Sequence, residues 1–243
     1  MYLSLDTSTL TLSLALVEGH GADARAVEIV TVGPPTKQTE MLPSAIGELL
    51  DRHLLRAEQL EGIVLGLGPG SFTGLRIGMA SVKGLAYAAG IKLVGVPSLA
   101  ALALDGPEGV PLFITAVART NDLYLGQFRR TGLEVERLAP EDALSPSELA
   151  SRALAAGAFI LGPAVTQYRP AFEAALVPPE RILDTAPWPQ ALNLARLARF
   201  PATFELAALF SLEPMYVRAS EPERNPKFPP LPGPTPTARL KED

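Results

Sequence analysis

Between residues 63 and 78 an apolar run, Ile63-Val64-Leu65-Gly66-Leu67, meets a glycine-rich turn and passes straight into a stretch of small residues. The run is short and partly β-branched, as suits a strand buried on both faces. In the turn, Gly68 and Gly70 open backbone angles that a side chain closes, while Pro69 restricts the angle between them. Ser71 or Thr73 is placed to cap a following helix. A strand that turns on glycine into a helix N-terminus is a geometry that receives anions. The spacing is nevertheless not that of a Walker loop, because no Lys follows Gly74. The junction commits the chain to an α/β fold without committing it to a nucleotide.

The surrounding pattern extends that reading. Tyr2 to Asp6 reads as a first strand and the alternation of Leu10, Leu12, Leu14 and Leu16 as a second, with Thr7-Ser8 as the hairpin link. A third strand is predicted over 26–32. Met41, Leu42, Ala45, Ile46, Leu49, Leu50 and Leu54 then recur at helical spacing, giving one amphipathic helix over 38–55. The junction helix runs to Ala89, with Gly90 as its stop and a short strand over 93–96. Strands over 111–118, 123–130 and 134–138, a helix over 147–156 behind Ser145, and a strand over 159–161 repeat the order. Three strands, helix, strand, helix, strand is the order of a ribonuclease-H-like core. Its duplication is the plan of the actin-like superfamily, with two subdomains built on mixed sheets. The halves are expected at 1–100 and 101–219, with the last helix packing back on the first half. The stretch 220–243 holds seven prolines and reads as an irregular tail.

Composition limits the function classes. With 47% hydrophobic and 19% charged residues, the 243-residue chain can bury a sizeable core. A net charge of −5 lacks the basic footprint of an autonomous nucleic-acid binder. The absence of cysteine excludes disulfides and thiolate metal sites. No apolar run reaches membrane-spanning length and no cationic, apolar leader opens the chain, so a cytoplasmic setting without membrane contact is expected.

Three segments carry a resemblance: Leu5-Asp6-Thr7-Ser8, the run from Leu67 to Gly78, and Gly95-Val96-Pro97-Ser98-Leu99. Together they closely resemble the TsaB family, also called YeaZ, with a weaker echo at Pro214-Met215-Tyr216-Val217-Arg218. The resemblance implies a duplicated ribonuclease-H-like fold and a role in making threonylcarbamoyladenosine at position 37 of tRNAs that read codons beginning with A. It also implies a homodimer when alone, pairing with the catalytic paralogue TsaD, and assembly with the ATPase TsaE, so that tRNA is met indirectly through the complex. Two positions depart from the family: Gln38-Thr39-Glu40 stands where His precedes Ser-Glu, and Val117-Ala118-Arg119 where Asp-Ala-Arg is frequent.

Catalysis is disfavoured residue by residue. An ATPase of this superfamily needs an Asp in each half to hold Mg²⁺. Asp6 is placed for the first, but Ser8 follows where glycine would allow closest approach, and Val117 occupies the second. A plain strand-end residue capping the hairpin turn is the alternative role for Asp6. The two histidines, His20 in a polar hairpin and His53 on an apolar helix face, cannot form a metal-binding pair, so no catalytic or metal residue is assigned. Asp6, Ser8 and Arg119 remain candidate nucleotide or cleft contacts, with Tyr124 beside Arg119. ATP or ADP with Mg²⁺ is expected in the complex rather than as a cofactor of this chain. The two helices offer a contact surface of Met41, Ala45, Leu49, Phe72, Thr73, Gly74, Arg76, Ile77, Gly78 and Ser81 for the paralogue or a second copy. Packing of the glycine-bearing helix on its own sheet is the competing use of those small residues. A small-molecule kinase or ATPase, and a homodimer outside tRNA modification, are the alternative functions.

Overall fold

The computed structural model describes residues 1–36, 38–185 and 187–217, apart from the side chains of residues 38 and 39. Arg218 of the tyrosine-arginine echo and the proline-rich stretch lie outside the described residues. The chain forms two five-stranded mixed sheets. The first comprises β1 (Tyr2–Asp6), β2 (Leu12–Glu18), β3 (Arg25–Val32), β4 (Gly62–Gly66) and β5 (Lys92–Val96), in the order β3-β2-β1-β4-β5. β2 runs antiparallel to β1 and β3, whereas β1, β4 and β5 are parallel. The second sheet comprises β6 (Leu112–Arg119), β7 (Asp122–Thr131), β8 (Glu134–Leu144), β9 (Phe159–Leu161) and β10 (Ile182–Leu183), in the equivalent order β10-β9-β6-β7-β8.

The helices fall at matching places in the two halves. α1 (Gln38–Arg52) and α4 (Pro146–Ala156) follow the third strands, α2 (Phe72–Ala89) and α5 (Val165–Ala174) follow the fourth, and α3 (Ser98–Ala103) and α6 (Ala191–Leu197) follow the fifth. This is a duplicated ribonuclease-H-like, actin-like α/β fold. A last short helix, α7 (Leu206–Ser211), has no counterpart in the first half. Among the described residues no helix is long and apolar enough to cross a membrane.

Alternation along the strands decides which helix covers which face. Leu3 and Leu5 of β1, Leu12, Leu14 and Leu16 of β2, and Ile63 and Leu65 of β4 meet Leu42, Leu49, Met79 and Val82 of α1 and α2, and Leu209 of α7 joins them. The opposite face is lined by small residues such as Ala15 and Val64, and α6 lies on it through Ala191, Leu194 and Ala195. Hydrogen bonds fasten this contact: Ser4 Oγ donates to Ala191 O at 2.6 Å, and Ala191 N–H to Ser13 Oγ at 2.9 Å. The second sheet carries α4 and α5 on one face and α3 on the other, where Leu99, Leu102 and Ala103 meet Leu112, Ile114 and Phe128. α3 thus covers the sheet of the second half and α6 that of the first, and the two helices meet between the sheets.

Several boundaries differ from the sequence expectation. The β1–β2 link runs from Thr7 to Thr11, longer than Thr7-Ser8, and Leu10 is 74% exposed instead of lying in a strand. Asp6 accepts from the Ser8 N–H at 2.8 Å, which curls the chain before β2 can begin. α1 stops at Arg52, and Leu54 takes φ +53. β8 continues past Pro140 to Leu144, and Pro140 falls where the β7–β8 register shifts between Ala139 and Asp142, a bulge position on an edge strand that tolerates a missing N–H.

Candidate functional site

The carboxylate of Asp6, at the end of β1, is fully buried. Its Oδ1 accepts from the N–H and the hydroxyl of Ser8, at 2.8 and 2.6 Å, and its Oδ2 accepts from Ser98 Oγ at 2.5 Å. Ser98 in turn accepts from the Gly68 N–H at 2.9 Å, while its own N–H donates to Gly68 O at 2.9 Å. One acid therefore ties the first turn, the glycine junction and the start of α3 together. Burial pushes its pKa up from the ordinary carboxylate range, and the bonds from Ser8 and Ser98 pull against that rise.

The glycine junction is filled by the protein itself. A Cβ added at Gly66 would meet the Asp6 carboxylate, at Gly70 the Ser8 carbonyl, at Gly74 the Thr7 carbonyl and at Gly78 the Thr7 side chain, each closer than 3.0 Å. Four glycines, each four residues from the next, thus make room for one turn, Asp6-Thr7-Ser8. The Ser71 N–H donates to Ser8 O at 2.7 Å, so the donor-rich entry of α2 receives a backbone carbonyl. Ser71 Oγ caps the helix by accepting from the Gly74 N–H at 3.2 Å, as the sequence suggested.

In the second half Val117 stands near the end of β6 with 40% of its surface exposed, and Arg119 is exposed beyond it. Tyr124 packs its ring partly into the core beside α3. These groups do not fit a Mg²⁺-nucleotide. Both oxygens of Asp6 are engaged, the Gly68 and Gly74 N–H groups are taken by Ser98 Oγ and Ser71 Oγ, and a valine side chain ligates nothing. Among the described residues no cluster of His, Asp and Glu is placed to hold a metal. His20 lies in the β2–β3 link as expected but in an apolar setting, and His53 sits differently from expectation. His20 packs in an aromatic cluster, its ring 5.1 Å from those of Tyr2 and Phe200, because Phe200 arrives from a distant part of the chain. His53 lies beyond the end of α1, its Nε2 2.8 Å from Glu28 of β3, and so leaves the apolar face.

The outer face of α2 is different in kind. Phe72 and Tyr216 are 41% and 46% exposed with ring centroids 5.5 Å apart, and the Arg76 guanidinium lies 4.0 Å over the Phe72 ring. Further along, Tyr87 faces Phe210 at 6.0 Å, both largely exposed, and Lys83 Nζ donates to Phe210 O at 2.9 Å. Of the expected contact residues, Met41, Phe72, Thr73 and Arg76 are exposed, and Ile77 and Ser81 half-buried. Ala45, Leu49, Gly74 and Gly78 are buried within their own chain, the first two on the core-facing side of α1 and the glycines against Thr7, so their side chains present nothing to a partner. The sequence reading named Ser98 and Tyr216 within the segments that carry the resemblance but gave them no place in the site, and it passed over Phe210. Phe210 lies in α7, a helix too short for periodicity to reveal, Tyr216 follows it, and the pairing of Ser98 with Asp6 spans 92 positions.

Fold and site together define an actin-like chain whose first-half acid and glycine loop are closed internally and which exposes an aromatic, cationic face on α2. A family model described as "TsaD: tRNA N6-adenosine threonylcarbamoyltransferase" matches residues 36–173. The tRNA threonylcarbamoyladenosine biosynthesis protein TsaB of Haemophilus influenzae is 29% identical over 231 residues, covering 89% of this chain and 92% of that protein. An uncharacterized Mycobacterium leprae protein is 35% identical over 128 residues, which span 52% of this chain and 35% of that protein's length. Among solved structures, YeaZ from Pseudomonas aeruginosa superposes with a TM-score of 0.67 at 27% identity, covering 88% of this chain and 98% of the other. The chain belongs to the TsaB (YeaZ) group of the TsaD family.

Proposed function

We propose that this chain is a noncatalytic partner of a TsaD-like paralogue in threonylcarbamoyl transfer to adenosine 37 of tRNAs reading codons that begin with A. The pathway is named in relatives such as the TsaB protein of Haemophilus influenzae. The observation that carries the noncatalytic reading is the sealed Asp6, whose two oxygens are taken up by Ser8 and Ser98. A carboxylate so engaged neither binds Mg²⁺ nor accepts a proton from substrate. What the chain offers instead is the exposed face of α2, where Phe72, Arg76 and Tyr216 form an aromatic and cationic anchor. Aromatic and arginine side chains are the residue types that dominate interface energetics.

In this reading the chain self-associates through the same face when alone, and it joins a TsaE-like ATPase through the paralogue. Nucleotide, Mg²⁺ and tRNA then enter with the complex, in the cytoplasm. The deciding experiment reconstitutes tRNA modification from purified components with each protein omitted in turn. Loss of threonylcarbamoyladenosine on omitting this chain is expected, and an equal yield without it overturns the proposal. Turnover of Mg²⁺-ATP by the isolated chain, abolished by Asp6→Asn, would favour the kinase or ATPase reading instead.

A further inference from the structure

A second surface feature shares no residue with the α2 face. A groove of about 710 Å³ runs between the two halves, from Gly95 and Pro97 at the end of β5 to the β7–β8 hairpin and the end of α6. Pro97, Leu133, Val135 and Leu197 give it half-buried apolar walls. The arginines of its lining are engaged within the chain. Arg129 pairs with Glu136 at 3.3 Å and Arg137 with Glu141, while one nitrogen of Arg199 donates to the Arg196 and Ala198 carbonyls, at 3.3 and 3.1 Å. Glu134, exposed on the hairpin, lines the groove without an ion partner among the described residues.

The chain carries a segment of matching chemistry. Twenty-six residues follow Val217, and the stretch from Arg224 to Pro236 holds two cations, Arg224 and Lys227, and no acid. Two hydrogen bonds fix the start of that segment at the groove's rim. Met215 N–H donates to Leu67 O at 2.8 Å, and Leu67 N–H to Val96 O at 2.9 Å, Val96 itself lining the groove. The eleven residues from there to Phe228 span up to about 35 Å when extended, so reach is no obstacle. Phe228 and Leu231 stand three apart across Pro229-Pro230. That spacing puts both side chains on one edge of a polyproline II helix, which has three residues per turn. Proline restricts the backbone before binding, so such a segment loses little entropy when it docks on an apolar wall. Lys227, beside Phe228, supplies the charge that Glu134 lacks opposite it.

We infer that residues 224–236 of the same chain occupy this groove, with Phe228 and Leu231 against Pro97, Leu133, Val135 and Leu197 and with Lys227 beside Glu134. The test uses the full chain, whose lack of cysteine lets Thr235→Cys carry a single nitroxide label. Amide resonances of Gly95, Thr131 and Leu133 should broaden beyond detection and return when the label is reduced, whereas that of Gly84 on α2 should persist. Phe228→Ser combined with Leu231→Ser should abolish the broadening. Glu134→Lys should weaken it, and adding Lys227→Glu should restore it. Isotope-labelled chain without the nitroxide, mixed with nitroxide-bearing chain at natural isotope abundance, should show no broadening at these sites. No broadening in the labelled chain, broadening indifferent to Phe228→Ser with Leu231→Ser, or broadening centred on Phe72 and Gly84 would each overturn the inference. Broadening of the groove residues in the mixed sample would overturn it too, because the occupant would then be the tail of a second copy.

Discussion

At Asp6 the residue types around the first turn carry their largest energetic consequence. Asp6→Ala strips an acceptor from the Ser8 N–H, the Ser8 hydroxyl and the Ser98 hydroxyl, all in a buried site. Unfolding by denaturant should show a loss of about 3 kcal/mol or more, since each stranded buried group costs roughly 1–3 kcal/mol. Asp6→Asn keeps an acceptor for Ser8 and should cost less. The carboxyl also sets a pH dependence. Its pKa is raised by burial, so the folded state holds the proton more tightly than the unfolded chain. Its contribution to stability is therefore complete below the usual carboxylate value, about 4, and is lost as pH rises through the raised value. Stability measured against Asp6→Asn should fall across that window, and a flat difference would remove burial as the dominant influence. The α2 glycines give a sharper contrast. Ala at Gly74 or Gly78 drives a methyl into Thr7 and should unfold the chain or displace the turn, whereas Gly84 has nothing within 4 Å. Gly84→Ala should raise stability, by up to about 1 kcal/mol, as helix propensity dictates.

Elements with a clear period were legible in the sequence, and those held by distant contacts were not. β1, β3, β4 and α2 fall where alternation, branched residues, Ser71 and Gly90 place them, because their own residues carry the signal. The helices α6 and α7 are too short to stand without packing, and the sequence reading expected a last helix packing back on the first half without placing its residues. A usable hint was present in Ala191, Leu194, Ala195 and Ala198, spaced as one helical stripe. The glycine-rich junction was recognised as a strand-to-helix turn, but its occupant was not. A turn that begins 60 positions earlier fills it, and chain order does not encode that contact. On α2 the exposed cluster supplies a direct test of docking. Arg76→Ala and Tyr216→Ala should each weaken capture of a purified TsaD-like paralogue about tenfold while leaving the thermal midpoint in place, as expected of interface anchors. Unchanged capture by both variants would move the interface elsewhere.

At the scale of the whole molecule, the two repeats are not separable bodies. α3 belongs by sequence to the first repeat and by packing to the second sheet, and α6 does the converse. Asn193 of α6 reinforces the exchange by donating to Ala101 O at 3.2 Å and to the Asp105 carboxylate at 3.1 Å. A fragment ending at residue 105 should therefore fail to fold, because the face of its sheet that α6 covers would lie open to water, and circular dichroism with a denaturant titration would show no cooperative transition. Supplying residues 106–217 as a separate chain should restore the transition if the exchanged helices are what closes the two sheets.

That exchange also governs the timing of biosynthesis. β1 leaves the ribosome long before its cover, since the helix that seals one face of its sheet comes after residue 190 and α7 later still. The first sheet is thus made well before it can be finished. A nascent chain stalled before Ala191 should remain open to protease within β1 and β2 and become resistant once the remainder has emerged.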